Sequence, residues 1–258
     1  MNEVKKAYHK LCREFYDISK PFACPKEVAF YAGILKGVQG PILEAMCGSG
    51  RLLLPLLRLG FKIDGLDNSA EMLESCEKRC VSENLKVPLF NQQIESPSLK
   101  KYALIFIAVG SFQLITDRAE GLKVLRILHS HLLPGGSLVL DTFIPWDSIK
   151  ESIEGDSLSK EKKTVSSNRV VACPDGTEIF LKSMTTIDPW GQLEISTNQY
   201  EKRLDDKVIA QEEEDLTVCW YYPHEMELFL EKAGFSQVLM TEHAFEHNPN
   251  SIVYQARA

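Results

Sequence analysis

A chain of 258 residues with 44% hydrophobic and 25% charged residues has ordinary globular composition and length enough to bury a full core, in one elaborated α/β domain or two. The formal net charge of −7 argues against a general nucleic-acid binder, which needs a basic face to displace counterions from phosphates. The seven cysteines, at 12, 24, 47, 76, 80, 173 and 219, include no C-x-x-C pair, so reduced thiols are expected rather than a zinc ribbon or redox pair. The opening M-N-E-V-K-K-A-Y-H-K has no apolar signal core, and no apolar run approaches membrane-spanning length. A soluble, cytoplasmic protein is the expectation.

Val4, Ala7, Tyr8, Leu11 and Phe15 recur at helical spacing, predicting an amphipathic helix over 3–17. S-K-P-F-A-C-P-K-E breaks it, and Val28, Tyr31, Ala32 and Leu35 predict a second helix that ends at the turn 37–40. Apolar runs at 42–46, 61–66, 87–90, 103–109 and 137–143 then alternate with helical stretches at 51–59, 69–82 and 118–132. Strands buried on both faces and separated by helices make a doubly wound, mainly parallel α/β sheet. Ser69 supplies an N-cap for the helix over 69–82, with Glu71 as an early acid.

The pattern changes after Trp146. The polar stretch D-S-I-K-E-S-I-E-G-D-S-L-S-K-E-K-K is expected to be a mobile connection with little core of its own. Strand-like runs follow near 169–173, 177–188, 192–202 and 207–220, separated by turns at P-D-G, P-W-G and L-D-D. They predict an antiparallel sheet inserted over 166–220. Residues 223–234 return to a helix, with Met226, Leu228, Leu230 and Ala233 on its apolar positions, and two strands close the chain near 236–242 and 251–257.

The most informative unit is I-L-E-A-M-C-G-S-G at 42–50 with K-I-D-G-L-D at 62–67. A strand breaks into a glycine loop, a helix follows, and a second strand ends on a carboxylate. The glycines admit a ligand close to the backbone. Asp67, 17 residues after Gly50, is placed to accept both hydroxyls of a ribose. Leu53 stands where the dinucleotide fingerprint needs its third glycine, which points to a nucleoside ligand without a pyrophosphate.

On these residues the chain resembles the class I S-adenosylmethionine-dependent methyltransferases of small-molecule type. L-E-A-M-C-G-S-G-R-L-L-L-P-L looks like that family's glycine loop, and G-L-D-N-S-A-E-M-L like its ribose-binding strand end. Y-A-L-I-F-I-A-V-G-S-F-Q-L-I is similar to the strand that carries its active-site rim. L-L-P-G-G-S-L-V-L-D and W-Y-Y-P-H-E-M-E-L-F-L-E-K-A-G-F resemble the approach to the fifth strand and the helix before the closing hairpin. The resemblance runs from about residue 15 to the C-terminus. It implies a Rossmann-like seven-stranded sheet with an antiparallel last strand. It also implies a single domain over 1–258, with an N-terminal helical cap at 1–37 and the inserted β-sheet at 166–220.

It further implies S-adenosyl-L-methionine as cofactor. Glu44 would order the loop and reach the methionine amino group, usually through water, and Cys47, Gly48 and Gly50 would present backbone to the methionine. Asp67 would take the ribose, Asn68 and Met72 would flank the adenine, and Gln93 and Ile94 would contact its edge. Ala108 would face the sulfonium, and Tyr16 would close over the cofactor, with 145–168 as a companion lid. Ligands gather beyond the carboxyl ends of such strands, which makes Phe112, Gln113, Phe143, Trp146, Tyr221 and Tyr222 candidates for the acceptor pocket. His224 is the histidine to consider as a general base.

Three residues depart from the pattern: Met46 replaces a usual glycine, Gln93 a usual acid and Ala103 a frequent acid. They keep a non-catalytic cofactor-binding subunit as an alternative, beside a nicotinamide-dependent oxidoreductase. Cys76 with Cys80, and His243 with His247, have the spacing of metal pairs but lack two further ligands, so no metal is expected. His129 and His131 are expected to favour a helix C-terminus, and E-E-E-D at 212–215 to be a solvated edge or turn. No Asn-Pro-Pro-Tyr-type sequence follows the fourth strand, which counts against a DNA or glutamine amide acceptor. The expected partner is a small-molecule acceptor, with neither nucleic acid nor membrane.

Overall fold

The computed structural model describes residues 9–153, 164–245 and 248–258. The chain divides into two compact units. Of the described residues, the larger comprises those of Phe22–Ile144 and Trp220–Ala258, and the smaller those up to Pro21 and of Pro145–Cys219.

In the larger unit, helix α2 (Pro25–Leu35) precedes strand β1 (Ile42–Ala45), α3 (Leu53–Arg58), β2 (Ile63–Asp67), α4 (Ala70–Ser82), β3 (Leu89–Asn91) and β4 (Tyr102–Ile107). After α5 (Arg118–Ser130) and β5 (Leu132–Phe143) the chain leaves this unit. It returns for α7 (Pro223–Ala233), β10 (Ser236–Glu242) and β11 (Ser251–Arg257). The seven strands lie in the order β10-β11-β5-β4-β1-β2-β3. β1 through β5 pair in parallel, and β11 runs antiparallel to both β5 and β10. The expected doubly wound sheet with its reversed last strand is the fold observed.

Local chemistry accounts for the starts of α4 and α5. The Ser69 hydroxyl accepts the Met72 amide at 3.2 Å, so the expected cap of α4 is in place. Asp117 caps α5 by accepting the amides of Ala119 and Glu120. At the other end of α5, His131 Nδ1 approaches the Ile127 carbonyl at 2.9 Å, whereas His129 packs its ring on Phe235. On α7 the expected apolar stripe is corrected. Leu228 is 64% exposed, and Phe229 instead packs on Tyr221. The reason is that α7 buries the side it turns toward the 220–222 segment, one position away from Leu228.

The smaller unit is a four-stranded antiparallel sheet, β6 (Thr164–Ala172), β7 (Glu178–Asp188), β8 (Leu193–Leu204) and β9 (Lys207–Cys219), with helices α1 (Lys10–Ser19) and α6 (Trp146–Ile153). Leu11, Cys12 and Phe15 of α1 form its core with Cys173, Ile179, Leu181 and Tyr200. Glu212 on β9 accepts the amides of Leu11 and Cys12, so a strand carboxylate satisfies the start of α1. Glu214 is buried beneath the same helix, against Cys12, Tyr200 and Asn198. The E-E-E-D run is therefore no simple solvated edge: the two-residue period of β9 turns its first and third acids inward. Residues 146–153, expected to be an unstructured connection, form α6 and bury Ile149. Much of the rest of that connection, 154–163, lies outside the described residues, as does His247. Among the described residues, no helix is long and apolar enough to cross a membrane.

Candidate functional site

The site lies in the larger unit, where β1, β2, β4 and β5 end. At the end of β1 the chain turns through Met46, Cys47, Gly48, Ser49 and Gly50. Met46 has φ +60°, Gly48 +54° and Gly50 +82°. The first value explains why a glycine suits position 46, and Met46 adopts the left-handed backbone at some cost in strain. A Cβ on Gly50 would lie 2.1 Å from Leu54 Cδ1 and 2.8 Å from Cys76 Sγ, so a larger residue there has to displace those side chains. The loop is pinned from outside: the Cys47 amide donates to the Leu66 carbonyl at 3.0 Å, and Arg79 of α4 donates to the Ser49 carbonyl at 2.8 Å.

Asp67 ends β2 and faces this loop. One carboxylate oxygen accepts the Gly48 amide at 2.8 Å and the other the Ser69 amide at 2.9 Å. Burial raises its pKa, and the amides of Ser69, Gly48 and Asn68 oppose that rise. The loop and Asp67 are thus one hydrogen-bonded unit. Asn68 Nδ2 donates to Gln93 Oε1 at 3.1 Å, so two of the residues expected beside the adenine meet each other. Met72, four residues after Asn68, and Ile94, directly after Gln93, are both buried, and the Met72 methyl lies 3.3 Å from where a Cβ on Gly48 would be.

Glu44, on β1, is 3% exposed, and its Oε2 has no hydrogen-bond partner among the described residues. Across the sheet on the same face lie Phe106 of β4 and Asp141 of β5, with buried Ala108 just past β4. Glu27 and Tyr31, one turn apart on α2, cover this row. The Tyr31 hydroxyl donates to Asp141, and Arg51 Nη2 contacts Glu27 at 3.3 Å. Asp141 also accepts the amides of Val109 and Gly110. Burial raises its carboxyl to about 6, against the pull of those three donors.

Of the acceptor-pocket candidates in this unit, Phe112 is fully buried and packs on Tyr221 at a centroid distance of 5.7 Å. Gln113 is clamped to the backbone of Phe143, donating to its carbonyl at 2.9 Å and accepting its amide at 2.8 Å. The Phe143 ring covers Gly110. Tyr221 is buried under the Arg118 guanidinium, 3.9 Å from its ring centroid, while Tyr222 is exposed at the start of α7. His224 faces solvent with its side chain 87% exposed, paired to Glu227 on the same helix. Tyr16 and Trp146 belong to the smaller unit: Tyr16 is half-buried on α1 and Trp146 is exposed at the start of α6.

The sequence did not mark Glu27, Tyr31, Arg51 or Asp141 as site residues. For Asp141 a signal existed. S-L-V-L-D ends an apolar run on a carboxylate, as K-I-D-G-L-D does at Asp67.

Residues 42–136 match a family model described as a methyltransferase domain. No curated protein matches the chain in sequence. Solved structures match across nearly its whole length. An S-adenosylmethionine-dependent methyltransferase from Clostridium acetobutylicum superposes with a TM-score of 0.71 at 19% identity, covering 95% of this chain and 96% of that one. A sugar N-methyltransferase from Streptoalloteichus does so with a TM-score of 0.75 at 16% identity, over 100% and 96%. An amino pentose methyltransferase from Micromonospora echinaspora, solved with S-adenosylmethionine bound, gives 0.68 at 15% identity, over 99% and 100%.

Proposed function

We propose that the chain is an S-adenosylmethionine-dependent methyltransferase that moves the cofactor's methyl to a nitrogen or oxygen of a small molecule, a reading supported by the methyltransferase-domain match over residues 42–136. The observation that carries the reading is the unit formed by Asp67 and the glycine loop. Two left-handed glycines present backbone to a ligand, and a carboxylate hydrogen-bonded to one of them stands where a ribose would be held. Buried Glu44, whose Oε2 has no hydrogen-bond partner among the described residues, fits the same cofactor, because an ammonium group is what such a carboxylate needs.

When bound, the cofactor supplies an electrophilic methyl on a sulfonium. The chain's own task is then to align the acceptor, exclude water and hold the rim still. Asp141 fixes Val109 and Gly110 at the end of β4, and Gln113 fixes Phe143 at the end of β5. These two clamps supply a rigid rim from which an acceptor could be aimed. Nitrogen is favoured as the accepting atom by one of the named neighbours, a sugar N-methyltransferase. The net charge of −7 supports a small-molecule partner over nucleic acid.

Calorimetric titration with S-adenosylmethionine, S-adenosylhomocysteine and NAD tests the cofactor. Micromolar binding of the first two and far weaker binding of NAD is expected, and equal NAD binding would overturn the reading. Incubation with S-adenosylmethionine and a panel of amino sugars, simple amines and phenols, read by mass spectrometry, then tests the acceptor class.

A further inference from the structure

Four carboxylates converge near the ends of β1, β2 and β5: Glu27, Glu44, Asp67 and Asp141. Three of them have hydrogen-bonded compensation. Arg51 pairs with Glu27, two amides hold Asp67, and two amides and the Tyr31 hydroxyl hold Asp141. Glu44 Oε2 has none among the described residues, although the residue is almost fully buried. An uncompensated buried carboxylate is costly by several kcal/mol in general, and such a group neutralises itself by keeping its proton.

The groups facing Glu44 strengthen that tendency. Glu27 lies on α2, Asp67 at the end of β2 and Asp141 on β5, all of like charge. The Tyr31 hydroxyl and the Cys47 thiol, also electrostatically linked to Glu44, are both pushed upward by burial and stay neutral. Arg51 is engaged by Glu27. Burial first, then Glu27, Asp67 and Asp141, hold the Glu44 carboxyl well above the usual carboxylate range.

We propose that Glu44 carries a proton while the site is empty and releases it to solvent when the ammonium group of S-adenosylmethionine arrives, so that cofactor binding and proton release are one linked event. The inference rests on the cofactor reading above. The balance is simple: a neutral carboxylic acid and a ligand ammonium become a carboxylate–ammonium pair and one solvent proton. The linkage sign follows. Deprotonation accompanies binding, so affinity rises with pH by up to about tenfold per unit until the empty-site carboxyl ionises by itself.

Titration calorimetry of the full chain at about pH 6.5, where an α-amino group is still charged, tests this in phosphate and in Tris, buffers of different protonation enthalpy. The ligands are S-adenosylmethionine, S-adenosylhomocysteine and adenosine. The expected result is a buffer-dependent heat corresponding to roughly one proton released for the two amino-acid-bearing ligands and none for adenosine. Glu44→Gln, isosteric and permanently neutral, is expected to abolish the buffer dependence and weaken both ligands. Should that variant fail to fold, the wild-type comparison with adenosine still decides. A buffer-independent heat, or equal release with adenosine, would overturn the inference while leaving the cofactor reading intact. Absence of any heat with S-adenosylmethionine would overturn the cofactor reading, and the inference with it.

Discussion

Asp141 holds Val109 in a left-handed backbone. Its Oδ1 accepts the Val109 amide at 2.9 Å, and Val109 has φ +62°, a conformation that a β-branched residue rarely adopts. Oδ2 takes the next amide, of Gly110, at 2.8 Å. The bend at the end of β4 is therefore maintained by a side chain from β5. Asp141→Ala should strand the two amides and the Tyr31 hydroxyl, and cost about 3 kcal/mol or more. Urea denaturation measures it. A loss below about 1 kcal/mol would mean that the bend holds itself.

The same residue gives a pH signature. Its carboxyl is raised from 3.8 to about 6, chiefly by burial, so the folded chain binds more protons than the unfolded chain between those values. Stability from this group is present below about pH 4 and lost as pH rises through about 6, by up to roughly 3 kcal/mol. Asp141→Asn, which cannot titrate, should lose that component of the slope. Denaturation midpoints at pH 4.5 and pH 7 for both proteins check it, and parallel slopes would refute it.

Asp67→Ala should act on binding and on the loop together. It removes the acceptor for the Gly48 and Ser69 amides as well as the carboxylate offered to the ribose. Charge-assisted hydrogen bonds are worth roughly 1.5–3 kcal/mol each, so affinity for S-adenosylhomocysteine should fall at least about tenfold. Calorimetry gives the affinity, and circular dichroism checks that the fold persists. An unchanged dissociation constant in a folded variant would take Asp67 off the ligand.

Gly50 and Gly60 separate crowding from backbone strain. Both have positive φ, +82° and +89°, but a Cβ on Gly60 meets nothing within 4 Å among the described residues, whereas one on Gly50 collides with Leu54 and Cys76. Gly60→Ala should cost about 1 kcal/mol, from the left-handed backbone alone. Gly50→Ala adds overpacking of about 1–3 kcal/mol and should be clearly the less stable of the two in urea. Equal losses would show that the loop shifts freely to make room.

Patterns confined to a few neighbouring residues were legible in the sequence. The apolar runs broken by helical stretches predicted the parallel sheet, because strand and helix periods are local properties. The glycine loop and Asp67 stood out because one strand–loop–helix–strand unit contains them both. Ser69 was readable as a cap because its partner, Met72, is three residues away.

What the tertiary structure decided are the contacts that cross between strands and helices far apart in the chain. Tyr31 meets Asp141 across 110 residues, and Val109 meets it across 32. No periodicity encodes either pairing, since β5 comes to lie beside β4 only when the sheet assembles. The same holds for the Gln113 clamp on Phe143, and for α1 and α2, adjacent in sequence yet in different units because Glu212 and the inserted strands satisfy the first. Glu44 shows both halves. Its place on β1 was legible from the motif, while the absence of a partner for its Oε2 among the described residues depends on which donors the fold spends on Glu27, Asp67 and Asp141 instead.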